Sequence, residues 1–87
     1  MLSKANNTRF ADCDLADTNF ANSQAKNSYF TRSNLVRSKF NKADLMYADL
    51  SEVNNAAADF SNSSLFGADL YKFDEDKALN LDSANTQ

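Results

Sequence analysis

Carboxylates are the residues of this sequence whose types and number could do chemistry. The chain of 87 residues carries twelve Asp and Glu, residue types that serve as general acids, general bases and ligands of hard metal ions. Other carriers of catalysis are scarce, because there is no histidine, no glycine-rich phosphate loop, and one cysteine, Cys13. Without histidine a zinc site of the usual ligand types is excluded, and a single cysteine forms no disulfide within the chain. The sequence therefore predicts no catalytic, cofactor or metal site.

Length and composition indicate one small domain. The net charge is −3, and neither proline nor a second glycine accompanies Gly67. No apolar run is long enough for the core of a signal peptide or for the roughly 18 residues of a membrane span. The prediction is a cytoplasmic chain without membrane contact, with secretion by a signal-independent route left open.

A five-residue period decides the fold class. A large apolar residue recurs at every fifth position with a small one two places before it, the exceptions in the large position being Ala25 and Asn55. A helix of about 3.6 residues per turn would spread such residues around its circumference, whereas extended chain turns residues two apart to one face. The small and large residues thus point inward from a short flat side, and the next two residues form a corner. The predicted core comprises Phe10, Leu15, Phe20, Phe30, Leu35, Phe40, Leu45, Leu50, Phe60, Leu65 and Leu70.

The length of one coil follows from which residues stack on like residues. A spacing of twenty gives columns such as Phe20, Phe40 and Phe60, whereas a spacing of fifteen mixes Phe with Ala25 and Asn55. Equivalent positions in successive coils lie about 4.8 Å apart and favour like on like. The sequence predicts four sides per coil, with Phe filling two opposite sides and Leu mostly the other two.

The units resemble those of the pentapeptide-repeat proteins, whose consensus is similar to Ala-Asp/Asn-Leu-x-x. Three units match it outright and four are close variants; they begin at Ala43, Ala48 and Ala68, and at Cys13, Thr18, Ser33 and Ala58. The resemblance covers about residues 6–72 and implies an all-β fold, a right-handed quadrilateral β-helix of about three coils. It does not imply one function, because the family is diverse.

Two parts of the chain depart from the repeat. Asn55 occupies a large-residue position, where a buried Asn most often satisfies itself against nearby backbone, with a binding role as the alternative. After Leu70 the period is lost, and residues 74–76 are acidic like the first turn of a helix. The interpretation is a solenoid over 1–73 and a cap or tail over 74–87 with a short capping helix. A frayed tail, dimerisation through that end and truncation of a longer array are the alternatives.

Charges also follow the twenty-residue spacing. Opposite charges on adjacent strands stabilise a sheet by about 0.2–1 kcal/mol per pair, so these residues are predicted to hold the coils in register. Most Asp residues lie at the outward centre of a unit, where the repeat explains them, and Cys13 is predicted to be an inward filler. The charged columns are Asp12, Arg32, Glu52 and Lys72; Asp17 and Arg37; and Lys39 above Asp59.

One corner differs from the rest in carrying apolar side chains, and we call it the apolar corner: Met46, Tyr47 and Phe66. Exposed aromatic residues and Met at one edge indicate a contact surface. The alternative is that the C-terminal segment folds back over them.

Two functional hypotheses follow. The first is a non-enzymatic interaction or scaffold module, one part of a larger bacterial protein, that binds an unidentified protein partner through a flat side or the apolar corner. The second rests on the family resemblance, since some members mimic DNA and bind a type II topoisomerase such as DNA gyrase, inhibiting it or protecting it from quinolones. That reading requires a homodimer joined at the C-terminal end, and the basic second coil disfavours it. Direct nucleic-acid binding is not expected, because the basic residues stack against acids.

Overall fold

The computed structural model describes residues 6–81 and residue 84, which form a short coil of repeated five-residue units. Each unit contains a two-residue turn and one bridged residue, and every bridge is parallel and joins residues twenty apart, from Arg9–Tyr29 to Asp59–Leu79. The described residues contain no α-helix and no extended strand, because each flat side offers only one bridged residue. The same part of the chain holds no helix long and apolar enough to cross a membrane.

Four sides succeed one another around the coil. Side 1 is built from residues 8–12, 28–32, 48–52 and 68–72. Side 2 begins at residue 13, side 3 at residue 18 and side 4 at residue 23, and each continues at the same spacing of twenty. The apolar corner lies where side 4 passes into side 1.

The corners require a left-handed backbone at their second residue. From Asn7 to Lys72 this residue has φ between 55° and 71°, as the third residue of a type II turn requires. A backbone bond closes most of the corners, for example from Cys13 N to the carbonyl of Phe10 at 3.3 Å. Asn, Asp and Gly enter this region at the least cost, and they fill half of the positions. Other residue types stand at the rest, namely Arg32, Arg37, Lys42, Tyr47, Glu52, Ala57 and Lys72.

The interior is filled by stacked rings and leucines. Phe40 lies between Phe20 and Phe60, with ring centres 4.8 and 5.2 Å apart and planes within 5° of parallel. Phe10 and Phe30 stack on the opposite side at 5.0 Å, and rings of the two columns meet edge to face. Eight of the eleven predicted core residues are buried and the other three, in the first and last coils, are partly buried; the latter are Phe10, Leu15 and Leu70.

Inward serines are buried without losing their hydrogen bonds. The hydroxyls of Ser23, Ser38 and Ser63 donate to the carbonyl three residues earlier at 2.6–2.7 Å. Ser33 instead donates to the carbonyl of Phe10 in the first coil and accepts from Cys13 N at 3.2 Å. Across the described residues, no buried side-chain nitrogen or oxygen is without a partner.

Outward Asp and Asn side chains cap the corners. Met46 N donates to Asp44 Oδ1 at 3.1 Å, and Ser51 N donates to Asp49 Oδ1 at 3.0 Å. Asn19 accepts the same bond from the N–H two residues on, so the amide serves as well as the carboxylate. This local bond pattern is typical of Asx turns, and it explains why the outward position carries Asp or Asn.

Asn55 ends the regular ladder on side 2. Its side chain is 1% exposed; Nδ2 donates to the carbonyl of Asp74 at 2.8 Å, and Oδ1 accepts from Asp74 N at 3.2 Å. The amide therefore makes the pair of bonds that the backbone of a regular unit would make. This is the satisfied buried Asn that the sequence favoured over a binding residue.

Phe73 closes the core at the C-terminal end. It is 8% exposed and its ring meets Phe60 edge to face at 5.4 Å. A turn over residues 75–77 then leads to Leu79, which bridges Asp59 and resumes the ladder.

The described residues 74–80 do not form the capping helix predicted within residues 74–87, and a 3-10 conformation appears only at Leu81. The ladder holds this segment in the path of the coil, because Ala57 N donates to the carbonyl of Lys77 at 3.0 Å and Phe60 N to that of Leu79 at 3.1 Å. Apart from Ala84, the rest of the segment lies outside the described residues.

Candidate interaction surface

The carboxylates whose pKa values are lowered accept hydrogen bonds that stabilise the fold and do not favour proton transfer. Hydrogen bonds from Arg32 hold the pKa of Asp12 below its ordinary value, and Arg37 does the same for Asp17. Burial works to raise the pKa of Asp49, but its hydrogen bonds, with Ser51 first, hold the pKa below the ordinary value. A general acid or base works best with a pKa near the operating pH, so these groups are poor candidates. Within the described residues, no three His, Cys, Asp or Glu side chains could hold one metal ion.

Cys13 lies in the first coil and is half buried. Its thiol donates to the carbonyl of Ala11 at 3.5 Å, and its N–H bonds to Ser33. The side chain occupies the small-residue position predicted for it, at the less covered end of the coil.

The charge ladder forms only in its first rungs. Arg32 pairs with Asp12 through two bonds at 2.8 and 3.0 Å, and Arg37 pairs with Asp17 at the same two distances. Among the described residues no ion pair forms between Glu52 and Lys72, so that predicted rung is wrong. Lys39 and Asp59 make no direct ion pair either, but they still interact: burial works to raise the pKa of Asp59, while hydrogen bonds from Ser61 and Asn80 and the charge of Lys39 hold that pKa below its ordinary value. Each formed pair is well exposed, and exposed pairs contribute little to stability.

The apolar corner is exposed. Tyr47 is 52% and Phe66 39% exposed, Met46 is half buried, and the two rings meet edge to face at 5.6 Å. The Tyr47 ring lies against the backbone of Gly67, where an added Cβ would come within 2.5 Å of the ring. The described residues 74–81 leave both rings exposed, so the covering segment foreseen as the alternative is not observed in that range.

Two more exposed aromatic residues lie on side 1. Tyr29 is 46% and Tyr71 61% exposed, and each has a cation near its ring: Arg9 at 5.6 Å from the Tyr29 centre and Lys72 at 5.5 Å from that of Tyr71. The sequence reasoning missed both, although the twenty-residue spacing already placed them on the side next to the apolar corner. We call side 1 together with the apolar corner the contact face.

The contact face also has a shallow depression near its N-terminal end. It encloses about 320 Å³ and is lined by Arg9, Ala11, Tyr29, Thr31 and Arg32. Two guanidinium groups and one ring therefore border a single recess, which suits an anionic or aromatic group of a partner.

Comparison with known proteins decides the family. The family described as pentapeptide repeats matches residues 26–54 and 43–74, in eight copies. The chain belongs to the pentapeptide repeat family. The resemblance inferred from the repeated units is thereby confirmed, and with it the general character of a repeat scaffold.

Two solved pentapeptide repeat proteins are similar to this chain. One comes from the thylakoid lumen of Arabidopsis thaliana and is 33% identical over 69% of this chain and 48% of its own, with a TM-score of 0.61. The other is HetL from the cyanobacterium Nostoc, involved in heterocyst differentiation regulation, 18% identical over 94% of this chain and 46% of its own, with a TM-score of 0.39. The chain thus spans less than half the length of either relative. No curated protein sequence matches it. Because one relative is from a plant thylakoid lumen, the predicted cytoplasmic location and bacterial source stay predictions.

Proposed function

We propose that this pentapeptide repeat chain is a protein-interaction module without enzymatic activity, that its partner binds the contact face, and that its coil is the right-handed quadrilateral β-helix of its family. The observation that carries the proposal is the distribution of exposed aromatic residues. Among the described residues, four of the five exposed large apolar side chains lie on the contact face, and only Leu79 lies elsewhere.

The contact face has the composition of a binding surface. Aromatic residues, Met and Arg are enriched at protein interfaces, and an exposed apolar cluster rimmed by polar residues marks an interaction site. The outward positions of sides 2 and 4 carry mostly Asn, Asp, Gln and Ser, which suit contact with water.

The topoisomerase-binding DNA mimic is the alternative. Mimicry of DNA requires a regular negative surface over many phosphates, spaced about 3.4 Å apart along each strand. The chain extends only 25 Å in its longest direction, and its second coil carries the cations Arg32 and Arg37 paired to acids. Length and charge both favour the general interaction module.

Site-specific photocrosslinking tests the proposal. Tyr29 and Gln24 occupy the same outward position in neighbouring units, on side 1 and side 4, and both are exposed. A photoreactive phenylalanine at position 29 should crosslink the folded chain to another protein molecule in an extract of the producing cells, whereas the same group at position 24 should not. Addition of Tyr47→Asn should remove the crosslink from position 29 without altering the far-ultraviolet spectrum.

Two results would count against the proposal. Equal crosslinking from positions 29 and 24 would mean that no side is preferred, and crosslinking that survives Tyr47→Asn would exclude the apolar corner from the contact. A DNA gyrase supercoiling assay addresses the alternative: inhibition or quinolone protection at low protein excess would favour the DNA mimic.

A further inference from the structure

The order of charges along side 1 reverses in sign from one end to the other. Two columns run up this side, each with one residue from each of the four stacked units. The outward centre column reads Arg9, Tyr29, Asp49 and Asp69, and the corner column reads Asp12, Arg32, Glu52 and Lys72. One cation stands at one end of the centre column and two carboxylates at the other, while the corner column alternates over an even number of positions.

This order of charges is complementary to the same order read in the opposite direction. Consider two copies whose sides 1 face each other, related by a two-fold axis that lies in the interface and runs perpendicular to the direction of the coil axis. The first unit of one copy then meets the fourth unit of the other. Three opposite-charge pairs then face each other, and each occurs twice by symmetry; they are Arg9 with Asp69, Asp12 with Lys72, and Arg32 with Glu52. The Tyr29 hydroxyl meets the Asp49 carboxylate in the same arrangement.

We propose that the contact face binds a second copy of this chain in this antiparallel orientation. The inference rests on the proposed function, in that it names the partner of the same surface. Complementary charge fixes the orientation, because a parallel pairing would place Arg9 against Arg9 and Asp69 against Asp69, which repel.

The geometry of the side suits such a contact. Phenylalanine rings of successive coils stack within 12° of parallel, so the coils turn little relative to one another and the side is flat along its length. Arg32 is already fixed by its two bonds to Asp12, which lowers the entropy lost when the pair meets Glu52 and Lys72 of the other copy. At the opposite corner the same reversal brings the Lys26 side chain against Met46 and Asn27 against Tyr47.

The other sides have fewer opposite-charge pairs when they are reversed. Reversal of side 2 opposes Asp14 to Asp74, which repel, and leaves Asp17 opposite Lys77 as its favourable pair. The described outward centre residues of side 4 include no cation. Side 3 gives only Lys39 opposite Asp59. Among the described residues, side 1 therefore has the most opposite-charge pairs on reversal, three against one each for sides 2 and 3.

The contact area sets the expected affinity. The molecule measures 25 × 22 × 21 Å, so one side presents a few hundred Å², below the roughly 800 Å² per partner of a standard interface. We expect a reversible dimer with a dissociation constant on the order of 10–100 µM that weakens in salt, because its pairs are exposed.

Sedimentation of the purified chain from about 5 µM to 1 mM at low salt tests the proposal through charge reversal. Arg9→Glu alone places Glu against Asp69, and Asp69→Arg alone places Arg against Arg9, so each variant should dimerise at least about tenfold more weakly. An equimolar mixture of the two variants restores opposite charges at both symmetry-related pairs, and should recover the dimer.

Matched controls separate the contact from effects on the fold. Asp69 and Asp44 each cap a corner with a bond of 3.1 Å to the N–H two residues on, but Asp44 lies on side 4, so Asp44→Arg should lose the cap and keep the dimer. Lys39→Glu reverses an outward cation on side 3 and should also keep it.

The outcomes distinguish this inference from the proposed function. A monomer throughout the concentration range, or a mixture that fails to recover the dimer, overturns self-pairing. A dimer that ignores both reversals but is lost in Leu79→Lys overturns it as well and places the contact at the C-terminal end. If the purified chain is monomeric while position 29 still crosslinks to a different protein in extract, self-pairing fails and the proposed function stands.

Discussion

The middle coils and the C-terminal closure maintain one ladder by different means. In the middle coils backbone pairs with backbone, as where Phe40 N donates to the carbonyl of Asp59 at 2.7 Å and Asp59 N to that of Ser38 at 3.0 Å. At the closure the Asn55 side chain takes over both bonds to Asp74. One polar residue in a core position thus displaces the chain from the regular path and still provides partners for both backbone groups of Asp74.

The largest expected difference between the two regions is in the core. Phe40→Ala should lower the free energy of unfolding by about 3–5 kcal/mol, because a fully buried ring with stacked neighbours on both sides leaves a cavity that the coils cannot close. Phe73→Ala should cost only about 2 kcal/mol, since that ring contacts Phe60 from one side at the end of the column. Urea denaturation of the two variants measures this. Equal losses would mean that the closure is as tightly packed as the middle coils.

The second expected effect concerns the Asn55 side chain. Asn55→Ala leaves the N–H and carbonyl of Asp74 without their partners, which should cost about 2–3 kcal/mol and accelerate hydrogen exchange at the Asp74 amide. The neighbouring Asn54→Ala is the control, because Asn54 is exposed and its single bond to Ala56 N is long, at 3.4 Å. A fully stable Asn55→Leu variant would contradict this account, since Leu would then serve as a regular core residue.

The coil was predictable from sequence because each inward position is chosen by packing alone. The stacks of Phe20, Phe40 and Phe60 follow from the twenty-residue spacing, and so do the paired charges of Asp12 and Arg32. The path after Leu70 was not predictable in the same way, because it depends on one side chain of an earlier coil, Asn55. Local acidity at residues 74–76 favoured a helix, and the longer-range ladder overrode it.

The contact face was predicted only in part. The apolar corner stood out because Met and aromatic residues are unusual at corner positions, whereas Tyr29 and Tyr71 are far apart in the sequence and come to lie on one side only in the folded coil. The left-handed corners were also missed, although Asn or Asp recurs at every fifth position from Asn7 to Asn27. The left-handed conformation was not predicted because Arg, Lys and Tyr, which do not favour it, occupy the same corner position later in the chain.

Two corners near the closure provide a third, smaller test. Gly67→Ala should destabilise by about 1–2 kcal/mol, since alanine is strained at φ +71° and its Cβ displaces the Tyr47 ring. Ala57→Gly should stabilise by about 1 kcal/mol, because glycine removes the cost of a left-handed alanine at φ 60°. In a Tyr47→Ala background the cost of Gly67→Ala should fall to the backbone contribution, and an unchanged cost would show that the ring yields without strain.

The smallest expected effect is in the corner ion pairs and appears only as a dependence on pH. The folded pKa of Asp17 lies below its ordinary 3.8 because of its hydrogen bonds with Arg37, so the pair's contribution to stability is present above that value and is lost as pH falls through the folded pKa. Arg37→Gln should therefore lower the free energy of unfolding slightly at pH 7, and the difference from the parent chain should vanish toward pH 2.

Lys77→Gln is the counterpart at the closure, where the ammonium and the Asp74 carboxylate are 3.8 Å apart, and its difference should be smaller at every pH. Urea denaturation at several pH values between 7 and 2 measures both. A difference in the free energy of unfolding for Arg37→Gln that stays constant down to pH 2 would assign the effect to packing of the arginine stem. The ion pair of Arg37 with Asp17 would then contribute no more to stability than the pair of Lys77 with Asp74.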